Sequence, residues 1–245
     1  MKGPNMSGTV KFVILSDSRS GTSLLSETLN SHPQIVCHGE VFHPTPRGHI
    51  KIREEERTLD QLVALREQDP VSFMRLVYDR PGAQAVGFKM WRNQNSEECD
   101  RLMADDSVAK IIYERTNILA RFASSRLVKA TGIYNLAPGA ARPARLESKI
   151  TFDRAEFDKY RARHERIFST YRQNSRGPVL ELTYKSLVEK GFDEVLSFLG
   201  APLQPLAPQK EKLHDSRIIE RFESAHHPLI VSTVTEMGCA EWLDE

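Results

Sequence analysis

The chain has 245 residues, 40% of them hydrophobic, enough to build one sizeable core. Its 34 basic and 33 acidic residues leave a net charge of +1, which argues against general affinity for nucleic acid or for a membrane surface. Any anion site must come from the local placement of arginines.

Three cysteines, Cys37, Cys99 and Cys239, have neither metal-ligand spacing nor the density of a disulfide framework, so a reducing cytoplasm is expected. Met1–Val10 lacks the charged-then-apolar pattern of a signal peptide. No apolar run approaches the ~18 residues of a membrane span.

In chain order, Val10–Leu15 is a short apolar run bounded by turn residues, hence a buried strand. It feeds the polar turn Asp17 to Gly21, and a helix follows over Thr22–Asn30. Ile35–Cys37 is a second strand, leading into His38-Gly39-Glu40. Pro44–Glu56 is charged and reads as a loop. Thr58 and Gln61 form a capping box for a helix bearing Leu59, Leu62, Val63 and Leu65, which Asp69-Pro70 stops. Val71–Tyr78 is another helix, and Ala85–Trp91 a strand after the Pro81-Gly82 turn. Ala109–Tyr113 is a strand ending at Glu114-Arg115. Thr116–Ala130 is helical, with Gly132 as its stop. Thr131–Ile150 reads as a long loop of the kind that forms lids and binding segments.

Phe152 to Arg172 has the strongest helical period: Phe157, Tyr160, His164, Ile167, Phe168 and Tyr171 share one face, and arginines take the other as a solvated face. Val179–Leu182 is the last strand. Phe192, Val195, Leu196 and Leu199 form a helix closed by Gly200, with Pro202 beyond it. Gln204–Lys212 is irregular, and His226-His227-Pro228 reads as a surface turn. The alternation predicts one α/β domain over residues 1–245, with a mainly parallel central sheet flanked by helices and insertions at 44–81 and 131–150. Ligands of such sheets sit beyond the carboxyl ends of the strands.

The first chemical motif is the strand–turn–helix Phe12-Val-Ile-Leu-Ser-Asp-Ser-Arg-Ser-Gly-Thr-Ser-Leu-Leu25. Its helix N-terminus offers the backbone N–H groups of Ser20, Gly21, Thr22 and Ser23 to an anion, and Arg19 adds a charged planar fork. No Gly-Lys pair precedes the hydroxyl residue, so the anion is not expected to be the β/γ-phosphate of ATP. Arg115, at the end of a strand, and Ser124, about two turns into the next helix, can face one anion beside that helix start. Taken singly, each segment also fits an ordinary capped turn or a structural ion pair.

Together they carry a resemblance. Ser18-Arg-Ser-Gly-Thr-Ser-Leu-Leu25 resembles the 5′-phosphosulfate loop of sulfotransferases, in particular the bacterial carbohydrate type, where arginine is common at the position of Arg19. Arg115 and Ser124, nine residues apart, resemble the 3′-phosphate pair of that family in the spacing of its nodulation-factor branch. Val86-Gly-Phe-Lys-Met-Trp91 resembles a strand of that branch, and Thr183-Tyr-Lys-Ser-Leu-Val188 with the helix after it also resembles a segment of it. The resemblance is weakest over 44–81 and 131–150, where it implies that acceptor specificity sits. The resemblance implies a three-layer P-loop-like fold and the donor 3′-phosphoadenosine 5′-phosphosulfate (PAPS), without a metal. It implies a small-molecule, carbohydrate or glycolipid hydroxyl as acceptor. Arg19, Ser20, Gly21, Thr22 and Ser23 would hold the 5′ end, with Arg19 also steadying the leaving oxygen, and Arg115 with Ser124 the 3′-phosphate. Lys210 and Lys212 resemble the basic C-terminal loop of the family.

Sulfuryl transfer to a hydroxyl needs a base. In the trehalose-type enzymes a Gly-Glu at the place of Gly39-Glu40 is linked to that role, so Glu40 is the first candidate, with His38 and His43 as rivals. Lys89 is a candidate for the sulfuryl group or the acceptor, or else a structural ion pair. Trp91 and Phe42 are candidates for stacking on adenine or sugar, or simply core. A metal at His38, Glu40 and His43 is not expected, because the spacing matches no common zinc pattern. Two other readings stay open: a P-loop nucleotide kinase, and a nucleotide-binding module without a working base.

Overall fold

Five short apolar segments pair into one sheet in a computed structural model, which describes residues 8–47, 49–52, 56–134, 139, 141, 143–207 and 216–245. The strands are β1 (Val10–Ser16), β2 (Ile35–His38), β3 (Ala85–Trp91), β4 (Ala109–Glu114) and β5 (Val179–Thr183). They lie in the order β2-β3-β1-β4-β5, every pair parallel. β1, β3 and β4 are buried nearly throughout, as strands covered on both faces must be. The sheet is fully parallel where a mainly parallel one is expected.

The helices are α1 (Thr22–Leu29), α2 (Leu59–Gln68), α3 (Pro70–Tyr78), α4 (Ser96–Ala104), α5 (Ile118–Thr131), α6 (Arg154–Asn174), α7 (Tyr184–Lys190), α8 (Asp193–Phe198) and α9 (His227–Glu236). Alternate residues of β1 separate the layers. Phe12 and Ile14 pack with Leu25 and Leu29 of α1, Leu187 of α7 and Val195 and Leu196 of α8. Val13 and Leu15 pack against Phe73 of α3, Leu102 of α4 and Phe168 and Tyr171 of α6. A third cluster joins α5, α6 and α9 through Phe122, Phe157 and Ile230. The result is helix, sheet, helix, with a satellite core.

The capping box of α2 is present: Thr58 and Gln61 exchange their backbone and side-chain bonds. α6 begins at Arg154 because Asp153 caps it through the Glu156 N–H. One expectation is corrected. His226-His227-Pro228 is not a surface turn but the start of α9, where Pro228 sits in the first turn and no N–H is needed. The arginines of α6 do take its solvated face, and two of them, Arg163 and Arg172, 43% and 40% exposed, also reach ion pairs with Asp17 and Glu114. α4 was not foreseen. Of the long segment 131–150, Ala144–Glu147 forms a 3-10 turn. Lys210 and Lys212 lie outside the described residues.

After β1 the chain leaves toward β2 and β3; after β4 it leaves toward β5. The reversal between β1 and β4 opens a crevice at their carboxyl ends. Leu15 is in register with both Met90 and Ile112, so these ends are level.

Candidate active site

The loop between β1 and α1 is tightly determined. Arg19 has φ 63°, an uncommon conformation for a long side chain, which costs about 1–3 kcal/mol and persists only where the surroundings enforce it. Gly21 follows at φ 82°, and a Cβ on it would lie 2.6 Å from Tyr184 Cδ2, so no other residue fits without displacing Tyr184. Gly21 is the N-cap of α1 without a side-chain cap, and the first turn of α1 holds no acidic residue. The partial positive charge of that helix start therefore faces the crevice without a counter-charge of its own. Ser20 Oγ is buried and has no hydrogen-bond partner among the described residues. An orphaned buried hydroxyl in this place fits an anionic oxygen as its missing acceptor.

The structure brings the two arginines together. Arg19 Nε donates to Ser124 Oγ at 2.9 Å and its Nη2 to the Tyr134 carbonyl at 3.1 Å. Arg115 Nη1 donates to the Arg19 carbonyl at 3.4 Å, and its guanidinium stacks on the Tyr184 ring at 4.7 Å. Burial and the charge of Arg115 lower the pKa of Arg19. Two guanidiniums held close in a poorly solvated crevice are destabilising unless an anion joins them. Arg115 already has one: its Nε donates to Glu245 Oε1 at 2.7 Å, and its Nη2 bonds the other oxygen of the same carboxylate.

Beneath the loop runs a buried charged network that the sequence did not disclose. Asp17, 2% exposed, accepts from Arg121 Nη2 at 2.8 Å and from both Arg163 nitrogens at 3.1 Å. Arg121, fully buried, also donates to the Ser18 carbonyl at 2.9 Å. Its Nη1 meets His164 Nδ1. A guanidinium only donates, so Nδ1 accepts, and the proton of the neutral ring sits on Nε2, which donates to Glu114 Oε1 at 2.6 Å. Arg172 binds the other Glu114 oxygen. Burial lowers the pKa of His164. Burial alone would raise that of Glu114, but the hydrogen bonds from His164 and Arg172 outweigh it and hold the carboxyl below its usual range. The sequence signal was Arg121 itself, an arginine among Leu119, Ala120 and Phe122 on a helix with little exposed surface. A groove lined by Glu114, Thr116, His164, Phe168 and Arg172 opens beside this network, and its lining includes none of the residues expected to hold donor or acceptor.

The second centre stands at the end of β2. Glu40, 9% exposed, has its Oε1 3.6 Å from Lys89 Nζ of β3, and its Oε2 accepts from Gln94 Nε2 at 2.8 Å. His43 Nε2 and His49 Nδ1 lie 4.0 and 3.7 Å from Oε2. The two imidazoles stack with centroids 3.5 Å apart and planes 4° from parallel. His49 reaches Glu40 because the stretch 49–51 lies along Gly39 and Glu40: Gly39 N–H donates to the Lys51 carbonyl and Glu40 N–H to the His49 carbonyl. A Cβ on Gly39 would sit 2.7 Å from the His49 carbonyl oxygen, so a glycine allows this close approach. Burial and the neighbouring His43 lower the pKa of His49.

Several expectations are thereby sorted. His38 lies away from the crevice: its ring is buried and Nε2–H donates to the Val77 carbonyl at 2.8 Å. Phe42 is core, packed edge-on to Phe73. Lys89 makes the ion pair with Glu40. Among the described residues, Glu40, His43 and His49 also form a cluster of metal-ligand type, with donor atoms within 4.8 Å of one another. Lys89 and Gln94 already neutralise and occupy that carboxylate, which disfavours a cation there. His49 and Gln94 were missed because neither lies in a motif.

Two solved structures are similar over 94% of this chain. One is a sulfotransferase from Alicyclobacillus acidocaldarius, at 18% identity, 96% coverage of that chain and a TM-score of 0.47. The other is mouse sulfotransferase SULT7A1 complexed with PAP, at 11% identity, 84% coverage and a TM-score of 0.47. No curated protein sequence matches the chain. The sequence model of the Sulfotransferase family matches residues 12–134, half of the chain, and spans β1 with its loop, Glu40, Lys89, Arg115 and Ser124. With that match over the strands and loops that frame the crevice, the chain belongs to the sulfotransferase family.

Proposed function

We propose that this sulfotransferase moves the sulfuryl group of PAPS to a hydroxyl of a carbohydrate, glycolipid or other small acceptor, working as a single domain in the cytoplasm. The observation that carries the reading is the pair of linked cationic positions, Arg19 and Arg115, on the two loops that flank the crevice. PAPS has two anionic ends, and a nucleotide with one would engage Arg19 but not Arg115. Arg19, Ser20, Gly21, Thr22 and Ser23 would receive the 5′-phosphosulfate, with Ser20 Oγ gaining the acceptor it lacks. Arg115 and Ser124 would bind the 3′-phosphate, and Ser124 Oγ also accepts from Arg19 Nε, which links the two ends.

Glu40 would take the proton of the acceptor hydroxyl as its oxygen forms a bond to sulfur and the bridging S–O bond breaks. The products would be a sulfate ester and 3′-phosphoadenosine 5′-phosphate (PAP). Gln94 and Lys89 fix the Glu40 carboxylate, and Lys89 is also placed to offset charge on the sulfuryl oxygens. His43 is the alternative base. In this scheme positioning and the fixed charges of Arg19 and Lys89 carry the rate. Glu40→Gln in an assay of PAPS-dependent sulfation against a panel of sugar hydroxyls should lower kcat by about 10²–10⁴-fold, with PAP affinity unchanged. Full activity in that variant would reject Glu40 as base and move the role to His43.

A further inference from the structure

We propose that Glu245 is a tethered competitor for the 3′-phosphate of the donor and of the product nucleotide. The proposal rests on the reading that Arg115 binds that phosphate.

The Nε/Nη2 edge of Arg115 is the edge a guanidinium uses to bind two phosphate oxygens side by side. In this structure both of its donors go to the Glu245 carboxylate, and the two side chains are 10% and 11% exposed. A carboxylate offers the same two in-plane acceptors as a phosphate but with one negative charge. It therefore satisfies the arginine when no nucleotide is bound and gives way to a dianion. The remaining donor, Nη1, is turned to the Arg19 carbonyl, so Arg115 cannot bind both partners through the same edge.

The segment that carries Glu245 is held locally. Its N–H donates to the Ser216 carbonyl at 2.9 Å, and Asn117 Nδ2 donates to the carbonyls of Trp242 and Asp244 at 3.1 and 3.2 Å. Trp242 and Leu243 pack against the α5–α6–α9 cluster. Asn117 also caps α5, two residues beyond Arg115, so the anchor and the arginine share one loop. A carboxylate anchored this close competes at the high effective concentration of a tether. The product keeps the 3′-phosphate, so Glu245 opposes its retention as it opposes donor binding, and restores the neutralised arginine after release.

The test is calorimetric titration of PAP and AMP into the full chain and into Glu245→Gln, which keeps the shape and removes the charge. Amide hydrogen exchange of residues 240–245 is followed in the same samples. Freeing Arg115 should tighten PAP by about tenfold and leave AMP unchanged, since the apparent Kd scales inversely with the fraction of arginine not already occupied. In the unmodified chain, saturating PAP should speed exchange in 240–245, and AMP should not. Unchanged or weaker PAP binding in Glu245→Gln, or unaltered exchange at saturating PAP, would make the contact a structural anchor and overturn the proposal. If both proteins bind PAP no better than AMP, the 3′-phosphate reading itself fails and takes the proposal with it.

Discussion

Arg19 and Arg115 stand on loops that leave adjacent strands where the chain reverses direction, whereas Glu40, His43 and His49 meet only because the stretch after β2 folds back along Gly39. The first pair is locked from below by Asp17, Arg121, His164 and Glu114, all buried. The second centre rests on one amide, one lysine and a stacked ring pair. The difference suggests a division of labour. The face expected to hold an invariant donor is built from strand ends and buried charge. The face expected to meet the acceptor is assembled from an irregular segment that can change without disturbing the sheet.

The sharpest way to break this contrast is at the buttress. Arg121→Met removes one partner of a buried charge pair and leaves Asp17 poorly compensated, which should cost about 3–5 kcal/mol. For a chain of this size that is a fall in melting temperature of roughly 10 °C, read by circular dichroism. A loss below about 1 kcal/mol would show that the donor side is not held from beneath. Gly21→Ala should leave the melting curve within a few degrees but weaken PAP at least about tenfold. The positive φ and the contact with Tyr184 move the loop rather than the core. Equal PAP affinity would mean that the loop conformation is not what binds.

A smaller effect follows from pH. His164 has a native pKa below its ordinary value, chiefly through burial, so the native state resists a proton that the unfolded chain accepts. Its contribution to stability is complete above the unfolded value of about 6.5 and is lost as pH falls through the lowered native value. Protonation would also place a hydrogen on Nδ1 against Arg121. Melting temperature should therefore drop between pH 7 and pH 5, and His164→Gln should flatten that slope. A slope unchanged by the substitution would separate His164 from the network.

Much of this was legible in the sequence, for reasons that differ by element. β1, β3 and β4 announce themselves as apolar runs closed by turn residues, and the Ser20-Gly21-Thr22 turn follows from a glycine between a strand and a helix. α4 escaped because its apolar stripe is only Cys99, Leu102 and Met103, set among Glu97, Glu98, Asp100 and Arg101; its Asn95 cap was the available signal. α9 escaped because His226-His227-Pro228 reads as a surface turn, whereas Pro228 stands in the first turn of a helix, where its missing N–H costs nothing. In the buttress only Arg121, set among apolar residues, gave a signal; its pairing with Asp17 was illegible because the two lie far apart in the chain and only the sheet order places them together. Glu40 was legible from its position after a strand, but its partners Gln94 and His49 were not, because each arrives by a loop whose path no periodicity encodes.

The central claim is that the crevice binds a nucleotide by two separate anionic ends. Parallel titrations of PAP, AMP and ATP into the unmodified chain and into Arg115→Ala test it most directly. The unmodified chain should prefer PAP to AMP and ATP by at least about tenfold, the worth of one charge-assisted phosphate contact. Arg115→Ala should lose that preference while binding AMP as before. ATP bound as tightly as PAP, or a preference for PAP that survives in Arg115→Ala, would contradict it.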